Sequence, residues 1–108
     1  MNFQTAVLGA GSWGTALACH LAGKGVPVTL WARSAKAAEK IQISRENKLY
    51  LPGVTLPSQL KITADLSLAL KGAAYIVLAV PSQSVRQVAT AIRPYLQDNP
   101  IIISTAKG

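Results

Sequence analysis

In Gly9-Ala10-Gly11-Ser12-Trp13-Gly14-Thr15-Ala16-Leu17-Ala18, glycines stand at G-x-G-x-x-G spacing, after an apolar run over residues 3–8 and before a run of small, helix-compatible residues. Strand, glycine turn and helix in that order let a backbone bring its amides against an anion. Gly9 can take the tight turn off the strand, Gly11 has no Cβ to obstruct phosphates, and Gly14 lets the helix lie close to the sheet. The unpaired amides of the first helical turn and the positive end of the helix dipole then face a diphosphate. The spacing alone is a weak signal, and a glycine-rich turn in some other α/β domain is the bland alternative. A second apolar run over 26–31, just past Gly25, supplies the βαβ setting the motif requires.

Outward from this turn the chain reads as a Rossmann-type α/β fold: a doubly wound parallel sheet of about five strands with helices on both faces. Residues 3–8 form the central strand, buried on both sides, and its helix covers about 13–24, ended by Gly23 and Gly25. The second strand is 26–31, where Pro27 is tolerable only at the start. Ser34 caps a helix over about 35–45 with Ala37, Ala38, Ile41 and Ile43 on its apolar face. Residues 60–63 are an edge strand carrying Lys61, and Asp65 caps a short helix over 66–71. The strongest strand signal is 73–80, stopped by Pro81. Ser82 opens a helix over 85–95 that buries Val85, Val88, Ala89 and Ile92, and 101–105 is a fifth strand.

Between these elements, Glu46-Asn47-Lys48-Leu49-Tyr50-Leu51-Pro52-Gly53 opens a loop too apolar for an idle linker. Leu49, Tyr50 and Leu51 are expected to pack back over the sheet edge beside the ligand cleft; an ordered surface loop without ligand contact is the alternative.

The end of the second strand separates the two nicotinamide cofactors. NAD-binding folds place Asp or Glu there to accept from the ribose hydroxyls, whereas this chain reads Trp31-Ala32-Arg33-Ser34, with no carboxylate before Glu39. A guanidinium at Arg33 can pair with a 2′-phosphate and stack on adenine. NADP is therefore the favoured cofactor and NAD the second candidate, served if Arg33 merely stacks.

At 108 residues the chain is one domain long, half of it apolar. It lacks an apolar run long enough for a membrane span and a signal-peptide pattern, so a cytoplasmic protein is expected. Its single cysteine, Cys19, rules out an intrachain disulfide and a cysteine-based zinc cluster; at mid-helix it reads as a packed thiol, and His20 as a partly exposed helix residue. The net charge of +7 comes from scattered residues, Lys36, Lys40 and Lys48 among them, which read as solvated faces. Only Arg33 and Lys107 fall where a parallel sheet presents residues to a ligand. Nucleic acid is not an expected partner, although the charge favours anionic ligands in general. A dinucleotide fold ordinarily has a sixth strand and an enzyme of this kind a second lobe, so the expectation is the amino-terminal portion of a longer protein.

The glycine stretch, Leu30-Trp31-Ala32-Arg33, Asn47-Lys48-Leu49-Tyr50-Leu51-Pro52-Gly53, Ala79-Val80-Pro81-Ser82 and Ser104-Thr105-Ala106-Lys107-Gly108 together resemble the bacterial NAD(P)-dependent glycerol-3-phosphate dehydrogenases. The resemblance spans the whole chain but only the amino-terminal third or so of such an enzyme. It implies hydride transfer between a nicotinamide and glycerone phosphate, giving sn-glycerol 3-phosphate for phospholipid synthesis, with residues 1–108 as the nucleotide-binding domain. By position it implies cofactor contacts at Gly9, Gly11, Ser12, Trp13, Gly14, Arg33 and Tyr50. It sets Lys107 between nicotinamide and substrate, contacting both. The family's acid/base lysine lies in the helical carboxy-terminal domain, so no catalytic residue is assigned within this chain. The full-length enzyme could be a homodimer. The rival readings are another two-lobed NADP dehydrogenase, of ketopantoate or hydroxyacyl type, and a non-catalytic NADP-binding module.

Overall fold

A computed structural model describes residues 4–96 and 99–105. β1 (Gln4–Leu8) lies at the centre, with Ala6, Val7 and Leu8 fully buried. Parallel strands flank it on both sides, β2 (Val28–Trp31) on one and β4 (Ala73–Leu78) on the other. β3 (Lys61–Thr63) and β5 (Ile101–Ser104) complete a five-stranded sheet of order β3-β2-β1-β4-β5. Val7 points to one face and Ala6 and Leu8 to the other, the alternation that lets a central strand serve two cores.

One core holds Val7, Leu30 and Val77 under α1 (Ser12–Gly23) and α2 (Ala35–Ser44), which contribute Ala18, Ala22, Ala38 and Ile41. The opposite core packs Leu8, Ile76 and Leu78 against α3 (Leu66–Leu70) and α4 (Ser82–Ile92), through Ala69, Leu70, Val88 and Ile92. The two helical layers and parallel order are those expected from the sequence. β1 leads outward to β2 and β3, and the chain then crosses back to β4. The sheet therefore has its switch point between β1 and β4, where open parallel sheets carry ligands beyond their carboxyl ends.

Local chemistry explains the element ends. Ser34 Oγ accepts from the Ala37 amide at 3.2 Å and Asp65 Oδ1 from the Ser67 amide at 2.9 Å, the two helix caps read from the sequence. Past α1, Gly25 takes φ +86°, a conformation that favours glycine. Pro27 stands just outside β2, and its carbonyl accepts from Thr5. β4 stops at Leu78, two residues earlier than expected, with one further bond to β1, from the Ala79 amide to the Leu8 carbonyl at 2.8 Å. α4 begins at Ser82 rather than 85 and gives way at Arg93 to a 3-10 turn, Arg93–Tyr95. That turn carries Pro94, which has no amide to continue the α-helical ladder.

Two packing expectations are corrected. Ile43 is 75% exposed, since the buried stripe of α2 follows Ala38 and Ile41 and position 43 falls off it. Leu49 and Tyr50 do not pack back on the sheet: they are 79% and 51% exposed, because polar bonds rather than apolar burial hold their loop. His20 is exposed. Burial pushes the thiol pKa of the partly buried Cys19 up, with the Arg45 charge opposing more weakly. No helix among the described residues is long and apolar enough to cross a membrane.

Candidate functional site

Gly9 leaves β1 at φ +124°, and its neighbours leave no room for a side chain. A Cβ there would sit 2.5 Å from the Ala79 carbonyl oxygen, so the turn passes directly under the end of β4. A Cβ on Gly14 would run into the Gly9 carbonyl oxygen, which holds the first turn of α1 against the strand it came from. Gly11 differs: nothing lies within 4 Å of where its Cβ would be. Two glycines are thus demanded by packing, while the third faces open space.

Gly11 is the N-cap of α1 and provides no side-chain cap, so the helix has no side-chain acceptor at its start. The first intrahelical bond runs from Thr15 to the Gly11 carbonyl at 3.0 Å. The amides of Ser12, Trp13 and Gly14 precede it and lie at the positive end of the helix dipole. Trp13 is 55% exposed beside them.

A cleft of about 1190 Å³ opens at the carboxyl ends of the strands. Gly9, Ala10 and Gly11 form part of its wall, Arg33 and Ser34 another, and Leu49 and Tyr50 a third. Pockets for small ligands and cofactors measure about 300–1,000 Å³, and this cleft is slightly above that range. Ser12 and Trp13 are outside this wall, at the helix end next to it. Gly14 is buried behind them. Arg33 reaches over the cleft toward α4, where its Nη2 donates to Gln87 Oε1 at 3.5 Å, a long bond that a ligand anion can displace. Lys107 lies outside the described residues.

The cleft is more basic than the sequence reading allowed. Lys36 and Lys40 project from one face of α2 into the same wall as Arg33, and Lys48 joins them from the loop, against a single carboxylate, Glu46. Glu46 Oε2 is engaged by the Gly53 amide at 3.0 Å. The i, i+4 spacing of Lys36 and Lys40 sets both on one face of α2, but a solvated helix face has the same spacing, so the sequence carries no signal that assigns them to the site. Such a lining attracts anions.

Sequence reasoning also missed Asn47. It is only 3% exposed, and its Nδ2 donates to the Ala10 carbonyl at 2.8 Å and to Thr15 Oγ1 at 2.9 Å. Ser12 Oγ makes a second tie, donating to the Tyr50 carbonyl at 2.8 Å. The loop base is closed by Arg45, whose guanidinium donates to the carbonyls of Pro57 and Leu60, while its own carbonyl accepts from Leu56. Residues 45–57 thus form a closed loop fastened to the glycine turn.

A glycine turn packed under β4, an uncapped helix start and a basic cleft beyond them are what known relatives can be asked to explain. The family model for the NAD-dependent glycerol-3-phosphate dehydrogenase N-terminus matches residues 4–108. The glycerol-3-phosphate dehydrogenases [NAD(P)+] of Moorella thermoacetica and Carboxydothermus hydrogenoformans are 51% and 50% identical to this chain over 108 and 107 residues, covering 100% and 99% of it. The crystal structure of the glycerol-3-phosphate dehydrogenase from Coxiella burnetii superposes with a TM-score of 0.94 at 38% identity, over 99% of this chain and 33% of that one. The chain spans about a third of the length of the curated relatives it matches, 32% in both cases. By the extent of the family match and by this identity, the chain belongs to the NAD-dependent glycerol-3-phosphate dehydrogenase family, as the amino-terminal part of its members.

Proposed function

We propose that this chain is the NADP(H)-binding domain, residues 1–108, of an enzyme that interconverts glycerone phosphate and sn-glycerol 3-phosphate. The observation that carries the reading is one cleft joining the glycine turn to Arg33. The open space at Gly11 and the uncapped start of α1 fit a diphosphate, which would rest on the Ser12, Trp13 and Gly14 amides. Gly9 and Gly14 serve by letting those amides approach the sheet. Arg33 would take the 2′-phosphate, supported by the absence of a carboxylate at the end of β2 and by the weak bond to Gln87 that a phosphate would replace. Tyr50, on the cleft wall, would flank the cofactor.

When bound, the nicotinamide supplies the hydride. This chain's residues bind and orient; the resemblance assigns Lys107 to the boundary between nicotinamide and substrate, and proton transfer to a lysine beyond residue 108. The same reading includes action in the cytoplasm, a supply of sn-glycerol 3-phosphate for phospholipids and homodimerisation at full length.

Titration of the protein with NADPH and NADH, in wild type and Arg33→Ala, tests this. Losing a charge-assisted bond of about 1.5–3 kcal/mol should weaken NADPH roughly 10- to 100-fold and NADH about threefold or less. Equal losses for both would overturn the 2′-phosphate assignment, and no binding of either would overturn the function.

A further inference from the structure

The amides at the uncapped start of α1 stand between two anchors, and both anchors belong to one side chain. Asn47 Nδ2 holds the Ala10 carbonyl, immediately before Gly11, and Thr15 Oγ1, immediately after Gly14. We infer that Asn47 is a positioning residue for dinucleotide binding: its amide fixes the Ala10–Gly11 peptide and the first turn of α1 in the orientation a diphosphate requires. The inference rests on the proposed reading of the cleft as a dinucleotide site.

Peptide geometry supplies the reason. The described chain has no cis peptide bonds, and in a trans peptide the C=O and N–H point in opposite directions. A rotation of the Ala10–Gly11 peptide would therefore turn a carbonyl oxygen toward the space into which phosphates would come. Gly11 resists such a rotation least, because it has no side chain and nothing lies near its Cβ position. The openness that admits the ligand is thus also a weakness, and Asn47 offsets it from outside the turn. It can do so because its own backbone is held: its carbonyl accepts from Leu51 at 2.7 Å, within the loop that Arg45 closes. Ser12 cannot substitute for it, since its hydroxyl bonds to the loop backbone at Tyr50 and leaves the Ala10 peptide untouched.

The test compares two ligands on the protein at its full natural length: NADPH, and adenosine 2′-monophosphate, which carries the 2′-phosphate but no diphosphate. Asn47→Ala should weaken NADPH at least about tenfold, a difference of about 1.4 kcal/mol, and leave the monophosphate within about twofold. Asn47→Asp, nearly the same size, should do the same or worse, because a carboxylate oxygen cannot donate to the Ala10 carbonyl. Retained monophosphate binding reports that each variant is folded. Unchanged NADPH affinity in the variants, or equal losses for both ligands, would overturn the positioning role while leaving the cofactor reading intact; a wild type that binds no NADPH would overturn that reading instead. A measurement on the wild type stands beside the variants: the Gly11 amide should show no microsecond-to-millisecond exchange in relaxation dispersion of the ligand-free protein, and exchange confined to Ala10 and Gly11 would contradict the inference.

Discussion

The cleft is bordered by two segments held in place by opposite means. The glycine turn, residues 9–14, is fixed by what it lacks: without side chains at Gly9 and Gly14 it fits beneath Ala79 and against its own strand. The loop over 45–57 is fixed by what it carries. Asn47, Arg45 and Glu46 each bond to backbone, and Asn47 to Thr15 Oγ1 as well, while Leu49 and Tyr50 remain exposed. A turn built by close packing tolerates no added atom at its packed glycines, Gly9 and Gly14, whereas a loop built by hydrogen bonds tolerates added atoms but no lost partner. Substitutions that add to the first and subtract from the second should therefore separate them.

Gly14→Ala should produce the largest effect. Its Cβ meets backbone that cannot step aside, so unfolding in urea should show a loss of about 3 kcal/mol or more, at the upper end of overpacking. A normal midpoint would mean that the helix start is looser than described. Arg45→Met comes next, because it leaves the Leu60 carbonyl without its donor and the Pro57 carbonyl with the Leu60 amide alone; a loss of about 1–3 kcal/mol in the same assay is expected. No loss would show that water replaces the guanidinium and that the loop is not closed from its base.

Gly11→Ala sharpens the comparison from within the turn. Open space and φ −78° accept a methyl group, so stability should change by no more than about 1 kcal/mol, with a gain as possible as a loss. NADPH affinity should nevertheless fall about tenfold or more, as the methyl group intrudes on the diphosphate. Retained affinity would remove Gly11 from the site. The smallest effect lies outside the cleft lining, at Asp65, whose carboxyl is held below its ordinary value chiefly by the Ser67 hydroxyl. A depressed folded-state pKa stabilises the protein above the unfolded-state value of about 3.9, and that contribution disappears as pH falls through the folded-state value. Ser67→Ala should move the Asp65 titration, followed by NMR, upward toward the ordinary value; an unmoved titration would assign the depression to the helix amides alone.

The turn could be read from the sequence because its information is local. Three glycines at fixed spacing, an apolar run before them and small residues after them all lie within about two elements of chain, and Ser34 and Asp65 announce their helices in the same way. The loop could not, because its partners are remote: Asn47 reaches Thr15 and Ala10, 32 and 37 positions away, and nothing about one asparagine distinguishes a buried bridge from a surface residue. Ile43 and Leu49 mislead for a related reason. Apolar character was read as burial, yet both remain exposed and line the cleft, where a ligand rather than the core would cover them. Lys36 and Lys40 show the same limit for charge, since a solvated helix face and a cleft wall have the same pattern until the helix is docked on its sheet.

The most direct test of the cleft as a dinucleotide site is an amide chemical-shift map of the protein titrated with NADPH. The largest shifts should fall on Gly11, Ser12, Trp13 and Gly14, followed by Arg33 and Tyr50. Shifts absent from the start of α1, whether concentrated elsewhere or missing altogether, would contradict the account.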